Sequence, residues 1–324
     1  FHQHGTDSFD KLVTQSPVMQ QTISEAKRIA DLDAPILIFG ETGTGKEMLA
    51  KACHQSSRRA DKAFLALNCG ALPDNVAETE LFGYAAGTFN QTEGKAGLLE
   101  LAAGGTLLLD EIADMSVHLQ AKLLRVLEDG EFRRVGDVNP VAVDVRFICT
   151  TCQDMGQLVD EGKFRKELYY RLNVLGLVVP ALRERRSDIV RLSESFILQH
   201  SAKLGRRPAK LSKSCVEFLQ QYPWPGNVRQ LQNALFRALS LLDGNEITKE
   251  DIQLPSCTPS MTYVDENFEG TLDEEVKKFE RDLLRKLYPS YPSTRQLAKK
   301  LGLSHTAIAN KLREYGINKA TVKL

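Results

Sequence analysis

Apolar positions follow two alternating rhythms over the first half of the chain. Ile36-Leu37-Ile38-Phe39 is a short, fully apolar run, and Gly45 to Gln55 then takes up helical spacing, which predicts a strand, a glycine loop and a helix. Further apolar runs stand at Phe64 to Leu67, Thr106 to Leu109, Val143 to Ile148 and Val174 to Val179. Helical segments lie between them, such as Val117 to Glu128, where Leu119, Leu123 and Leu127 mark one buried stripe. Strands alternating with helices imply an α/β fold, a parallel sheet covered on both faces.

The rhythm changes twice more. From Asp188 to about Leu254 the pattern is helical only, including Cys215 to Tyr222 and Val228 to Leu242, and predicts a separate helical domain. Pro255 to Gly270 is rich in Pro, Ser, Thr, Asn and Gly with little periodicity, the composition of a linker. Beyond it, Leu272, Val276, Phe279, Leu283 and Leu287 form a helical stripe, and a compact helix pair follows. The expected division is a polar lead-in at 1–14, an α/β domain at 15–187, a helical domain at 188–254, a linker at 255–270 and a small all-α domain at 271–324.

Composition narrows the function classes. With 324 residues and 42% apolar content the chain can fill two or three domains, and 42 Lys+Arg against 42 Asp+Glu exclude a protein basic throughout that coats nucleic acid nonspecifically. The charge is uneven: Asp243 to Asp282 holds 12 acidic and 4 basic side chains, Tyr288 to Leu324 7 basic and 1 acidic. The basic tail is thus a nucleic-acid candidate. No apolar run approaches the roughly 18 residues of a membrane span, and the first thirty residues lack a secretory pattern, so a cytoplasmic location without a membrane partner is expected. The chain begins at Phe1 rather than Met, which leaves upstream sequence open.

Cys53, Cys69, Cys149, Cys152, Cys215 and Cys257 are scattered, unlike a secreted disulfide framework, and reduced thiols are expected. Cys149 and Cys152 form a C-x-x-C at the end of an apolar run, but no second Cys or His pair follows at zinc-finger spacing, so strand-end packing is the reading. His2 and His4 lie in a polar terminus and suit a frayed end better than a metal site.

The chemistry concentrates in two motifs. Gly40-Glu41-Thr42-Gly43-Thr44-Gly45-Lys46 matches G-x-x-x-x-G-K between a strand and a helix. Its glycines let successive N–H groups and the helix N-terminus point at phosphate oxygens, while Lys46 adds a mobile positive charge. A glycine turn with a surface lysine is the competing reading. The second motif, Gly104 to Glu111, disfavours it: an apolar strand ends in Asp110, which can hold Mg2+, and Glu111, which can polarise a water for attack on a terminal phosphate. Glu47 stands where the general motif places a metal-binding hydroxyl, so magnesium should lean on water and Asp110.

The glycine loop with Glu47, Glu80-Leu81-Phe82-Gly83, Gly104 to Ile112, Phe164-Arg165 with Leu168-Tyr169-Tyr170-Arg171-Leu172-Asn173, and Trp224-Pro225-Gly226-Asn227-Val228-Arg229 resemble the AAA+ domain of bacterial enhancer-binding transcription activators. The resemblance spans roughly residues 15 to 255 and implies an ATP-binding P-loop domain with a helical lid. It implies that Asn68 is a switch residue holding the catalytic Glu111, that Arg165 and Arg171 are fingers reaching a neighbouring subunit's nucleotide, and that Arg229 is the lid sensor. Arginine suits both jobs because its fixed charge and planar fork stabilise phosphate oxygens; surface ion pairing is the alternative. The sequence departs from the family twice. The loop that carries Gly-Ala-Phe-Thr-Gly-Ala and engages sigma-54 is here Gly87-Thr88-Phe89-Asn90-Gln91-Thr92, and the sensor Asn is replaced by Cys152, a poor hydrogen-bond donor. Remodelling of sigma-54 polymerase is therefore the lesser expectation, and ATP is expected to serve more as a ligand than as fuel.

Ser293 to Arg313 has the pattern helix, glycine turn, helix: Ala298 permits close crossing, Gly302 the turn, and Ser304 can cap the second helix. As a helix-turn-helix, it would set His305, Thr306 and Asn310 toward base edges and Arg295, Lys299, Lys311 and Arg313 near phosphates. A helical hairpin with a solvated charged face is the alternative. The stripe from Leu272 to Leu287 would pair with its twin, so that two readers face a palindromic double-stranded operator. This end resembles the Fis-type DNA-binding domain of the same activators and, more narrowly, that of the tyrosine-responsive regulators of aromatic amino acid genes. That resemblance implies L-tyrosine or another aromatic amino acid as an ATP-dependent effector, ligand-driven assembly from homodimer to hexamer, and mainly repression, with some activation through the main RNA polymerase. Glu78 or Glu80 could meet the effector's ammonium group.

Overall fold

A computed structural model describes residues 9, 12, 14–90, 92–255, 271–288 and 291–318, which fall into two units, Phe1–Ser256 and Cys257–Leu324. Cys257, His2, His4, Gln91 and nearly all of the linker lie outside the described residues.

In the larger unit α1 (Pro17–Ala30) leads to β1 (Ile36–Phe39), α2 (Lys46–Gln55), β2 (Phe64–Asn68) and α3 (Asp74–Phe82). The pair β3 (Gly83–Tyr84) and β4 (Lys95–Ala96), α4 (Leu98–Leu101), β5 (Thr106–Asp110) and α5 (Val117–Asp129) follow. The pair β6 (Glu131–Arg133) and β7 (Pro140–Ala142), β8 (Arg146–Thr151), α6 (Met155–Asp160), α7 (Lys166–Leu172) and β9 (Leu175–Val178) complete this layer. The main sheet has the order β2-β5-β8-β1-β9, all parallel.

Alternation along each strand decides which face a residue serves. Leu37, Leu107, Leu109, Phe147 and Cys149 share one cluster with Leu81, Leu123 and Leu168. Ile36, Ile38, Leu108, Ile148 and Leu177 share another with Ala26, Leu49 and Cys53. Both faces are covered, as the continuous apolar runs require. Phe9, in the nominally polar lead-in, is buried in the second cluster.

The fourth apolar run yields a strand displaced toward its C-terminal end. Val143 N donates to Gly130 O and Asp144 O accepts from Gly104 N, so these residues spend their backbone groups on neighbouring turns and the ladder starts at Arg146. The pairs β3/β4 and β6/β7 have no counterpart in the sequence reading, because strands of two or three residues show no period. They are joined through a Tyr84–Val135 bridge.

The lid segment holds α8 (Asp188–Lys203), β10 (Lys210–Leu211), α9 (Lys213–Gln221), α10 (Asn227–Leu241) and β11 (Glu246–Ile247). The sequence predicted helices alone here; β10 and β11 form a two-residue parallel pair, again too short to announce itself. Buried Trp224 anchors the α9–α10 turn, its indole N–H donating to Leu219 O at 2.7 Å.

In the second unit α11 (Leu272–Leu287), α12 (Thr294–Leu301) and α13 (His305–Glu314) pack Leu284, Tyr288, Leu297, Ala298, Ile308, Leu312 and Ile317 into one core. Thr271 and Glu274 form a capping box, and Ser293 and Ser304 cap the next two helices through their hydroxyl oxygens. Gly302 ends α12 at φ +68°, the left-handed turn expected of it. Among the described residues no helix is long and apolar enough to cross a membrane.

Candidate nucleotide site and helix-turn-helix

Parallel strands aim their C-terminal ends at one edge, where ligands of such sheets gather. Here that edge brings together the loop after β1, the end of β5 and the end of β8. Gly40 N donates to Thr151 O, which ties the loop to β8. Thr44 Oγ1 donates back to Glu41 O at 2.7 Å, tightening the loop. Lys46 opens α2 and is buried; its Nζ donates to Gly40 O at 2.7 Å and Glu41 O at 3.2 Å and lies 3.3 Å from Glu111 Oε1. Glu47 and Thr42 are exposed.

Asp110 ends β5, and Glu111 follows in a left-handed backbone, φ +53°. Glu111 Oε2 accepts from Cys152 N at 3.2 Å. The Cys152 thiol, flanked by Thr42 and Glu111, is pushed up chiefly by burial, so at neutral pH it stays protonated. Cys152, which stands in place of the family's sensor Asn, thus meets Glu111 through its backbone N–H. Buried Thr150 donates its hydroxyl to Asp110 Oδ1 at 2.5 Å and accepts from Glu111 N at 3.0 Å.

Asn68 lies opposite Asp110 in the ladder between β2 and β5. Its Oδ1 accepts from Gly70 N, a local turn, and it makes no hydrogen bond to Glu111; Lys46 and Cys152 hold that carboxylate instead. Arg165 precedes α7, its Nε donating to Val117 O at 3.2 Å, and Arg171 lies 3.5 Å from Glu128. Both arginines are exposed.

The lid closes on the loop through backbone. Arg229 N donates to Gly43 O at 3.2 Å. A Cβ at Gly43, φ +81°, would stand 2.4 Å from Gly226 O, so only glycine admits this approach. The Arg229 side chain is exposed. Buried Asn227, at φ +52°, donates its amide to Glu41 Oε2 and Thr42 O and accepts from Leu182 N at 2.8 Å. Arg183 grips Glu41 with both Nη atoms and holds its carboxyl below the usual range. Arg185 Nη2 donates to Thr44 O at 3.3 Å.

Sequence reasoning missed Thr150, Arg183 and Arg185. Two adjacent threonines in an otherwise apolar strand, and the arginine alternation Arg183-Glu184-Arg185 after the last strand, were the available signals. Glu78 and Glu80, offered as ammonium ligands, are engaged by lysines: Glu78 accepts from Lys122 at 2.5 Å and Glu80 from Lys95 at 3.1 Å. In the loop after β3, Phe89 is 61% exposed at φ +54°, its ring edge-on to Tyr84.

In the second unit Arg295, Lys299, His305, Thr306, Asn310 and Arg313 are exposed, and Ser304 serves as cap. His305 Nε2 is hydrogen-bonded to Thr294 Oγ1 at 2.6 Å, tying α13 to α12. Lys311 is half-buried and donates to Glu280 Oε2 at 2.6 Å, with Tyr315 OH on the same oxygen. Its charge is therefore committed to α11 before any phosphate is considered.

Residues 12–178 match the sigma-54 interaction domain, 183–257 the AAA+ ATPase lid domain and 269–318 a helix-turn-helix domain. The chain is 47% identical over 311 residues to the HTH-type transcriptional regulatory protein TyrR of Haemophilus influenzae, covering 96% of each. It belongs to the TyrR family. Within that family it is 54% identical over 310 residues to TyrR of Enterobacter agglomerans, spanning 95% of this chain but 60% of that relative. A crystal structure of NtrX from Brucella abortus shares the fold at TM-score 0.72 and 36% identity, over 95% of this chain and 70% of that one. Another NtrX structure, in complex with ATP, matches at TM-score 0.70 and 36% identity over 94% of this chain and 69% of that one. The AAA+ architecture with lid and helix-turn-helix is thus shown.

Proposed function

We propose that the chain is an ATP-binding, DNA-binding transcription regulator of aromatic amino acid genes that responds to L-tyrosine. The carrying observation is that Glu111 meets Lys46 and the lid backbone at Arg229 meets Gly43 of the same glycine loop, with Asp110 next to Glu111 at the end of β5, in a chain whose other unit is a capped helix-turn-helix with its own core. The residues fit a nucleotide: backbone N–H groups at the start of α2 and Lys46 suit phosphates, and NtrX, of like fold, takes ATP. Among the described residues no group of three or more His, Cys, Asp or Glu could hold a metal ion, so Mg2+ would rest on Asp110 with phosphate oxygens and water. Mg2+ would neutralise phosphate charge. Glu111 is the base position, Arg165 and Arg171 are exposed for a neighbouring subunit, and Arg229 is the lid sensor.

In the second unit the exposed Thr306 and Asn310 face base edges, with Arg295, Lys299 and Arg313 on phosphates. The unpartnered apolar stripe of α11 is the dimer seam. By family likeness, tyrosine with ATP drives hexamer assembly, mainly repressing and partly activating through the main RNA polymerase. The test is analytical ultracentrifugation at fixed protein concentration with an ATP analogue and tyrosine, singly and together. Conversion of dimer to hexamer only with both supports the reading; indifference to tyrosine removes the effector and leaves an ATP-binding DNA reader.

The match of residues 12–178 to a sigma-54 interaction domain keeps one second reading, an ATPase that remodels sigma-54 polymerase. Phe89 in its loop is exposed, but its neighbours depart from the motif. Open-complex formation by sigma-54 polymerase in the presence of this protein and ATP would favour that reading.

A further inference from the structure

We infer that Thr150 is a positioning residue of the nucleotide site, a hydroxyl clamp that sets the Asp110 carboxylate for its metal ion. The inference rests on the nucleotide reading above and assigns a role to a residue outside every motif used to reach it.

Hydrogen-bond logic fixes the hydroxyl. Glu111 N can only donate and an ionised carboxylate only accepts, so the single Thr150 proton goes to Asp110 Oδ1 at 2.5 Å and an oxygen lone pair receives Glu111 N–H at 3.0 Å. Thr150 is fully buried and lies in β8, directly beside β5 in the sheet. The side chain is therefore rigidly based. One atom thus grips both members of the acidic pair, one through its carboxylate and the other through its backbone.

Two further observations give the grip a purpose. Glu111 adopts φ +53°, ψ +57°, a conformation L-residues seldom hold without support; the Thr150 hydroxyl supplies that support at the amide, Cys152 N and Lys46 at the carboxylate. Asp110 has one oxygen committed to Thr150, which orients the carboxyl that would hold the ion. Among the described residues no group of three or more His, Cys, Asp or Glu could hold a metal ion, so a divalent ion at this site would depend on how this one carboxylate is held. Partners behind a ligating carboxylate commonly matter for metal affinity about tenfold or more.

The experiment is titration of a fluorescent, non-hydrolysable ATP analogue into wild type, Thr150→Ser, Thr150→Val and Thr150→Ala, each with excess Mg2+ and again with EDTA. The quantity read is the Mg2+-dependent gain in affinity. Thr150→Ser keeps the hydroxyl and should retain the wild-type gain within about twofold; Val and Ala should lose about tenfold of it with little change in EDTA. Val keeps the shape and Ala cannot overfill the site, so one of them remains folded, as a thermal melt will verify. Equal gains in all four proteins, or a Ser variant as impaired as Val, would overturn the clamp. If wild type binds the analogue without any Mg2+ gain, the clamp fails and nucleotide binding stands; if wild type binds no analogue, the nucleotide reading itself fails.

Discussion

Asn227, the first residue of α10, reaches across from the lid to donate its amide to Glu41 Oε2 in the glycine loop, 3.1 Å away. The same carboxylate is gripped by Arg183. Lid and loop thus meet at this acid as well as through the backbone of Thr42 and Gly43.

That acid predicts a pH dependence. Arg183 holds the Glu41 carboxyl below its ordinary value, so its contribution is present above the unfolded carboxylate range and is lost as pH falls through the depressed folded value. Glu41→Gln should lower the urea midpoint near pH 7, and the gap to wild type should narrow steadily as pH falls below the ordinary carboxylate range. Glu41 is partly solvent-exposed, so the gap should be modest. A gap that widened in acid would reverse the assigned sign.

Lys46 predicts a separation of functions. Its ammonium is buried among Gly40 O, Glu41 O and Glu111, and Lys46→Ala should weaken nucleotide binding by about 100-fold, the equivalent of ~3 kcal/mol for a lost buried charge contact. Operator affinity of the dimer should remain within about twofold, since the second unit has its own core. Paired nucleotide titration and operator gel shifts would check both halves. Equal losses in the two assays would show that the units do not function separately.

For the DNA reader, exposed Asn310 and Thr306 are assigned to base edges and Arg313 to a phosphate. Asn310→Ala should cost about 1–3 kcal/mol on the specific operator with little effect on random DNA. Arg313→Ala should weaken both alike and reduce the salt slope by about one. Lys311→Ala should act first on stability, because its partner is Glu280. Binding isotherms across a salt series, with melts of the same variants, distinguish the three behaviours.

Along α11, Leu272 is 81% exposed, Val276 46% and Phe279 47%, an apolar stripe on an otherwise charged helix. Phe279→Glu should raise the dimer dissociation constant by about tenfold or more, as burying a charge in an apolar seam costs at least 1–2 kcal/mol, while leaving the melt of the larger unit unchanged. Sedimentation equilibrium provides the constant. An unaltered dimer would place the seam elsewhere.

Long apolar runs, glycine at forced turns and capping hydroxyls are local signals, and they were legible. Ile36 to Phe39 did become β1, Val117 opened the helix that buries Leu119 and Leu123, Gly302 turned left-handed, and Ser304 capped α13. The glycine loop and Asp110-Glu111 could be found because phosphate chemistry demands contiguous residues. What the sequence could not disclose was pairing across distance. Only the parallel register of β5 and β8 brings Thr150 beneath Asp110, 40 positions away, and only the lid's return places Arg183 and Asn227 on Glu41. Lys311 joining Glu280, 31 positions away, and the two-residue strands are the same case. A short polar side chain has several partners of nearly equal energy, and the fold chooses among them by which one it brings within about 3 Å.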